Sequence, residues 1–280
     1  MGINVLSLFD GISCGQLALN KANIQYDNYF ASEIKKHAIE TTQHNYPKTI
    51  QLGDVHNIYG SQLPNIDLLI GGSPCQNLTY MNSQGRIGLE GEKSKLFYEF
   101  VRLLKETKPT FFLLENVGSM KNKDKELITE TLGVKPIKFN SSLLSAQKRN
   151  RLYWTNIPFL GLPNDKQVML NDIVDRTAPR EENWSEKKQE FVLRKSKTMY
   201  VNIDGNKSIP ITARGYSSWN TQFITNADGM LRDLTLEEYK KLQTIPSWYE
   251  FPCIKSKATN LIGDGWTIDV ISHLLKGMVI

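Results

Sequence analysis

The stretch that most constrains this chain is Asn65–Gln76. A mostly apolar run, Asn65-Ile66-Asp67-Leu68-Leu69-Ile70, stops on Gly71-Gly72 and continues as Ser73-Pro74-Cys75-Gln76. Six such residues bounded by turn signals read as a buried strand. Two glycines and a proline then set a tight turn, so a thiol stands at the carboxyl end of a strand. In an open α/β sheet, ligands bind at that end. Taken alone, such a cysteine reads as buried and inert.

Two further stretches change that balance. Phe111-Phe112-Leu113-Leu114-Glu115-Asn116-Val117 is another apolar strand, and it ends in a carboxylate. Gln147-Lys148-Arg149-Asn150-Arg151 holds two guanidiniums two residues apart, and if Arg149 to Tyr153 is extended they share one face. A thiolate, a carboxylic acid and a paired-arginine face suit nucleophilic attack on a polar heteroaromatic ring.

Around these stretches, strand and helix patterns alternate. Ile3–Phe9 reads as a strand, Asp10-Gly11-Ile12-Ser13-Cys14-Gly15 as a glycine turn, and Gln16–Ala22 as a helix. Asn28–Ser32 is a second strand, with Glu33 opening a helix to about Asn45, and Thr49–Leu52 a third strand. Ser94 is set to cap an amphipathic helix carrying Leu96, Phe97, Phe100, Val101, Leu103 and Leu104. Lys123–Leu132 reads as a helix, Val134–Phe139 and Arg151–Ile157 as strands. The succession predicts an α/β fold, a Rossmann-like doubly wound and mostly parallel sheet. The glycine turn is not G-x-G-x-x-G, so it carries no dinucleotide fingerprint.

From Pro158 the texture changes. Pro158, Gly161, Pro163, Pro179 and Gly205 interrupt a charged, poorly periodic segment reaching about Gly229. The reading is a catalytic and cofactor-binding domain over 1–157, completed by 258–280, and a small second lobe with a bracing helix over 158–257. Within that lobe, Gly215-Tyr216-Ser217-Ser218-Trp219-Asn220 suits contact with bases and phosphates, and equally a plain loop. Arg232–Gln243 reads as a helix in which Thr235 and Glu238 form a capping box, and Ile262–Leu275 as a last helix.

Composition narrows the class. The formal net charge is +5, and Gln147–Arg232, with 14 basic against 9 acidic residues, carries an excess of that size. So small an excess supports a polyanionic partner only weakly. Three scattered cysteines and four histidines give neither a disulfide framework nor metal-ligand spacing, which suits a reducing compartment and predicts no metal. No run approaches the roughly 18 apolar residues of a membrane span. The chain enters a strand pattern at once, which predicts no signal or transit peptide.

In these residues the chain resembles the cytosine-5 DNA methyltransferases: the Pro-Cys turn, the Glu-Asn-Val strand end and the Gln-x-Arg-x-Arg motif, in that order. The match covers roughly 3–157 and 231–278. Phe9-Asp10-Gly11-Ile12-x-x-Gly15, Gly71-Gly72-Ser73-Pro74-Cys75 and Asp264-Gly265-Trp266 are closest in form to the animal de novo branch. The resemblance implies a methyltransferase fold with a target-recognition lobe, and S-adenosylmethionine as cofactor. It places that cofactor against Phe9, Asp10, Gly11, Glu33, Ile34, Asp54, Val55, Pro74, Leu96, Asp264 and Trp266. Glu33 would grip the ribose and Asp54 the adenine amino group. The plainer alternatives are a helix-end glutamate and a turn cap. Cys75, Glu115, Arg149 and Arg151 become the catalytic set, and Gln76, Arg86, Arg214, Tyr216 and Ser217 the candidate DNA contacts. Asn77–Lys93 is expected to be a mobile loop that closes over double-stranded DNA.

The implied chemistry needs each group. Cys75 adds to carbon 6 of cytosine and activates carbon 5. Glu115 bonds nitrogen 3 and the amino group, and must carry a proton at least in part. Arg151 holds the carbonyl oxygen, and Arg149 braces Cys75 or the backbone. The base must leave the duplex to be reached. The rivals are a tRNA cytosine-5 methyltransferase, a catalytically silent regulator of the same fold, and a nicotinamide dehydrogenase. A monomer is expected, or an end-to-end homo-oligomer like the de novo relatives. The expected setting is cytoplasmic, on the nucleoid, in a bacterium or a phage host.

Overall fold

A computed structural model describes residues 2–74, 95–181, 184–196 and 198–278. Cys75, Gln76, Arg86, Ser94 and the 77–93 loop lie outside the described residues. The chain divides into two compact units. The larger holds residues 1–139, 150–162 and 271–280, the smaller 140–149 and 163–270. The smaller unit thus takes in the Gln147–Arg149 stretch and the segment from 258 to 270, which the sequence reading assigned to the catalytic domain.

The larger unit is built on a seven-stranded sheet: β1 Ile3–Leu8, β2 Tyr26–Ser32, β3 Ile50–Gln51, β4 Leu68–Gly72, β5 Phe111–Val117, β6 Ile137–Asn140 and β7 Asn150–Thr155. Their order is β3-β2-β1-β4-β5-β7-β6. β1 pairs in parallel with both β2 and β4, and β4 with β5; β7 runs antiparallel to β5. The doubly wound, mostly parallel sheet read from the sequence is therefore present. Sequence order reverses between β1 and β4, the switch point at which a doubly wound sheet opens a crevice.

Strand alternation puts Leu6, Leu69, Phe112 and Leu114 on one face. Phe97, Phe100, Val101 and Leu103 of α3 (Leu96–Thr107) and Trp154 of β7 complete that core. Each fully buried side chain of this size contributes about 1.5–3 kcal/mol. The other helices of this unit are α1 (Cys14–Lys21), α2 (Lys36–Asn45) and α4 (Asn122–Leu132).

The smaller unit buries Ile211, Leu234, Tyr239, Leu242, Tyr249 and Ile262, and has a separate apolar cluster under its sheet. α5 (Glu186–Lys195) meets a three-stranded sheet, β8 Asn202–Ile203, β9 Gln222–Thr225 and β10 Leu231–Asp233, around Val192, Val201 and Phe223. α6 (Leu236–Leu242) begins after Thr235, with both arms of the expected capping box formed. Two expectations are corrected here. Arg232 and Asp233, expected to open a helix, belong instead to β10, which pairs with β9 across a turn through Asp228-Gly229. The last helix is two, α7 (Lys255–Asp264) and α8 (Ile268–Leu275), separated at Gly265.

Candidate active site

Parallel register brings four strand ends to one edge of the sheet. Leu8 pairs with Ser32 and with Gly71, and Gly72 with Glu115. The residues that follow, Phe9–Gly11, Glu33–Ile34 and Ser73–Pro74, therefore leave the sheet side by side, next to Asn116–Val117, the last residues of β5. The sequence placed each at a strand end; pairing makes them neighbours.

The glycine turn is tightly specified. Phe9 (φ 57°), Gly11 (φ 60°) and Ser13 (φ 55°) all adopt the left-handed region, two of them without the freedom of glycine. Such backbone strain collects at ligand-binding turns. A Cβ on Gly11 would meet nothing within 4 Å, so the outer side of the turn is open. Asp10 is buried, and its Oδ1 accepts from the Tyr29 hydroxyl at 2.8 Å. Its Oδ2 is buried with no partner among the described residues. Burial pushes its carboxyl up to about 6, against hydrogen bonds from Ser7, Tyr29 and Ser13. Burial, then the neighbouring Asp10, raises the Tyr29 phenol well above its ordinary range.

Glu33 joins two of these strand ends. Its Oε2 accepts from Gly11 N–H at 2.9 Å, and its Oε1 from the N–H groups of Ile34 and Lys35 at 2.8 and 2.9 Å. It stands three residues ahead of α2, so its first duty is to the turn rather than to the helix end. Beside it Ile34 is 71% exposed, an apolar side chain standing at the ligand edge of the sheet. Asp54 caps a 3-10 turn over Val55–Asn57, accepting from His56 N–H at 3.0 Å, and Val55 is buried. Leu96 opens α3, half-buried against the core.

Glu115 and Arg151 form an ion pair, Nε to Oε1 2.8 Å, with side chains 12% and 17% exposed. The antiparallel strand is the reason. Its first residues meet the last ones of β5, Arg151 opposite Val117, so Arg151 shares a face with Glu115 two residues away. Arg151 Nη1 also donates to Asn150 O at 2.8 Å, while Nη2 has no hydrogen-bond partner among the described residues.

Arg149 stands just ahead of the strand that carries Arg151. β7 begins at Asn150. The Arg149 guanidinium is buried and donates to the carbonyls of Ile211, Gly263 and Gly265 at 2.8, 3.1 and 2.9 Å, all in the smaller unit.

Sequence reasoning missed a role for Asn116. Its Nδ2 donates to the carbonyl and hydroxyl oxygens of Ser73 at 3.2 and 3.1 Å, and its Oδ1 accepts from Val117 N–H at 2.7 Å. An amide in a mostly apolar strand run was the available signal, since a polar group buried there must find partners; Asn116 is 1% exposed. Asn116 thus fixes the base of the segment that leads through Pro74 to Cys75.

In the smaller unit, Arg214 and Ser217 are exposed, but Tyr216 is committed. Its hydroxyl donates to Glu181 Oε2 at 2.5 Å, and its ring lies under the ammonium groups of Lys255 and Lys188. Asp264 is exposed at the end of α7, and Trp266 half-buried just beyond it. Among the described residues, no three His, Cys, Asp or Glu side chains gather to hold a metal ion.

A family model for C-5 cytosine-specific DNA methylases matches residues 3–155 and 138–279, and the chain belongs to that family. The match runs straight through the segment where the motifs give out. The chain is 32% identical over 275 residues to an orphan methyltransferase, M.SPRI, of Bacillus phage SPR, covering 97% of this chain and 58% of that protein. It is 34% identical over 132 residues to the type II methyltransferase M.NgoBV of Neisseria gonorrhoeae, covering 47% of this chain and 31% of that protein. It thus spans only part, about a third to a little over half, of these relatives' lengths. The S. pombe Dnmt2 methyltransferase shares the fold, with a TM-score of 0.73 at 19% identity over 99% of this chain and 98% of that one. The strand order and pairing are those of a methyltransferase sheet.

Proposed function

We propose that this protein is a DNA cytosine-5 methyltransferase that uses S-adenosylmethionine, adding Cys75 covalently to carbon 6 of a flipped-out cytosine. The observation that carries the reading is the Glu115–Arg151 pair, at the sheet edge where Asn116 holds Ser73, two residues before Cys75.

S-adenosylmethionine supplies an electrophilic methyl group on a sulfonium. The strained turn, open over Gly11, and the buried Asp10 Oδ2 without a partner fit such a ligand. Phe9, Asp10 and Gly11 would hold one end of it, and Pro74 and Leu96 its flank. Glu33 has three backbone donors and a fourth lone-pair direction left for a ribose hydroxyl. Ile34 offers apolar surface to the adenine ring, and Asp54 and Val55 its edge contacts. Asp264 and Trp266 remain proposed cofactor residues by family position.

On the substrate side, addition of the thiolate pushes negative charge onto the cytosine ring. Arg151 would donate to the carbonyl oxygen, and Glu115 would bond nitrogen 3 and the amino group. Both hold positions before the base arrives, since a strand pair fixes them. Arg149 acts at a distance, by fixing backbone. Arg214 and Ser217 are offered to the duplex, with Gln76 and Arg86; Tyr216 serves that loop as an anchor. Double-stranded DNA is the proposed partner, and the cytoplasm the proposed setting; among the described residues no helix is long and apolar enough to cross a membrane.

Bisulfite sequencing of plasmid DNA from cells expressing the protein tests the reading. Protected cytosines in one short, recurring context are expected. Plasmid converted as completely as in cells expressing Cys75→Ala would reject it.

A further inference from the structure

β3 is two residues long, so the chain that leaves it, Gly53 to Leu63, has no strand ladder to hold it. It is two short 3-10 turns joined by extended residues. One face of α3 supplies what the sheet does not. Arg102 Nη2 donates to Val55 O at 3.1 Å. Glu106 Oε2 accepts from Gly60 N–H at 2.8 Å, and Glu99 Oε1 lies 3.6 Å from His56 Nδ1. A Cβ at Gly60 would stand 2.7 Å from Glu106 Cβ, so glycine is needed for so close an approach.

Arg102 is the keystone of this row. Its Nε and Nη2 bond Glu99 Oε2 at 2.9 and 2.7 Å, its Nη1 bonds Glu106 Oε1 at 2.9 Å, and its guanidinium lies 5.8 Å from the Tyr59 ring centroid. Glu99 and Glu106 sit three residues before and four after it, on one helix face. The Gly60 amide and then Arg102 hold the Glu106 carboxyl below its ordinary range. Three side chains one helical turn apart thereby fix both ends of the Asp54–Gly60 segment. Ser32 Oγ, donating to Gly53 O at 2.8 Å, fixes its start.

We propose that Arg102 is a positioning residue for the adenine end of the cofactor pocket: through Val55 O, and through Glu99 and Glu106, it sets where the Asp54–Val55 turn stands. The inference rests on the cofactor reading above. A salt bridge on a helix surface ordinarily contributes little to stability. What marks this one is its destination, a backbone carbonyl in a segment otherwise without sheet pairing.

The test is calorimetric binding of S-adenosylhomocysteine, in a double-mutant cycle with Asp54. Arg102→Met is expected to raise Kd about tenfold, roughly one lost charge-assisted contact's worth of affinity. Arg102→Lys, which keeps a donor but not the fork, is expected to raise it about threefold. In an Asp54→Ala background Arg102→Met should add less than about twofold, because the group it positions is gone. The unliganded melting temperature should fall by no more than about 2–4 °C. Unchanged Kd in Arg102→Met, a full tenfold loss persisting without Asp54, or a collapse of the melting temperature would each overturn the assignment. Failure of the wild type itself to bind S-adenosylhomocysteine removes the cofactor reading, and this inference with it.

Discussion

Arg149 and Arg151 stand two residues apart and meet opposite fates. Arg151 opens a strand of the larger unit and pairs with Glu115 at the ligand edge of the sheet. Arg149 is sealed in the smaller unit under three backbone carbonyls. The same contrast runs through the two units. The larger packs an apolar core against its sheet and carries Glu33, Ser73 and Glu115 at or just past strand ends. The smaller also buries apolar side chains, Leu242, Tyr249 and Ile262 among them, but is laced through by charge: Arg232 on Glu238 with both side chains nearly inaccessible, and Lys188 on Asp233. Polar residues in the first unit are therefore candidates for chemistry, and buried ones in the second are mostly architecture.

The two arginines give the largest effects with which to break that contrast. Arg151→Ala should lower the methylation rate by about 10²–10³, as for loss of an oxyanion donor, with little change in the urea midpoint. Arg149→Ala leaves three carbonyls without their donor and should cost roughly 3 kcal/mol of stability or more. If Arg149→Ala unfolds no more readily than wild type, its guanidinium is not the stitch described here.

Asp10 sharpens the comparison, because it is a buried acid in the unit whose polar groups are assigned to function. Its carboxyl is raised from 3.8 to about 6 by burial. Between those values the folded protein keeps a proton that the unfolded chain has released. Stability therefore falls as pH rises through that window, and the penalty is complete above about pH 6. Asp10→Asn removes the titration. It should gain up to about 3 kcal/mol on wild type between pH 4 and pH 7, read from urea midpoints. A difference that stays flat with pH would mean that Asp10 is not desolvated as described.

Glu33→Ala should raise the Kd for S-adenosylmethionine roughly tenfold, by loss of charge-assisted hydrogen bonds to a ribose. The Ile34 and Lys35 amides it releases are exposed and can turn to water, and that of Gly11 is part-buried, so stability should change less than affinity. Unchanged affinity by calorimetry would leave Glu33 a turn-building residue only.

The sequence was most readable where short-range patterns decide. Phe111–Val117 is a strand with the bounds its apolar run predicts, and Thr235 with Glu238 makes the expected box. It was least readable where distant partners decide. Nothing in Gln147–Arg151 announces that Arg149 bonds carbonyls 62 to 116 residues away. Leu231–Asp233 has helix-like neighbours on one side and a strand partner on the other, and the partner wins. Strands of two to four residues in the smaller unit carry too few alternations to register as a pattern. α5 had a usable signal in Ser185, which caps Lys188 N–H, but charge obscured its apolar face. Tyr216 could be chosen by residue type, but not its commitment to Glu181.

The central claim is that Cys75 adds to a cytosine in DNA and that Glu115 and Arg151 serve that addition. Duplex DNA carrying 5-fluorocytosine at the methylated context tests it directly. A base must remove the group on carbon 5 before the thiol can leave, and fluorine does not leave as a cation. The account predicts a denaturant-stable protein–DNA band that requires S-adenosylmethionine and disappears in Cys75→Ala. No band with DNA, while fluorinated RNA gives one, would contradict the substrate; no band with either would contradict the covalent mechanism.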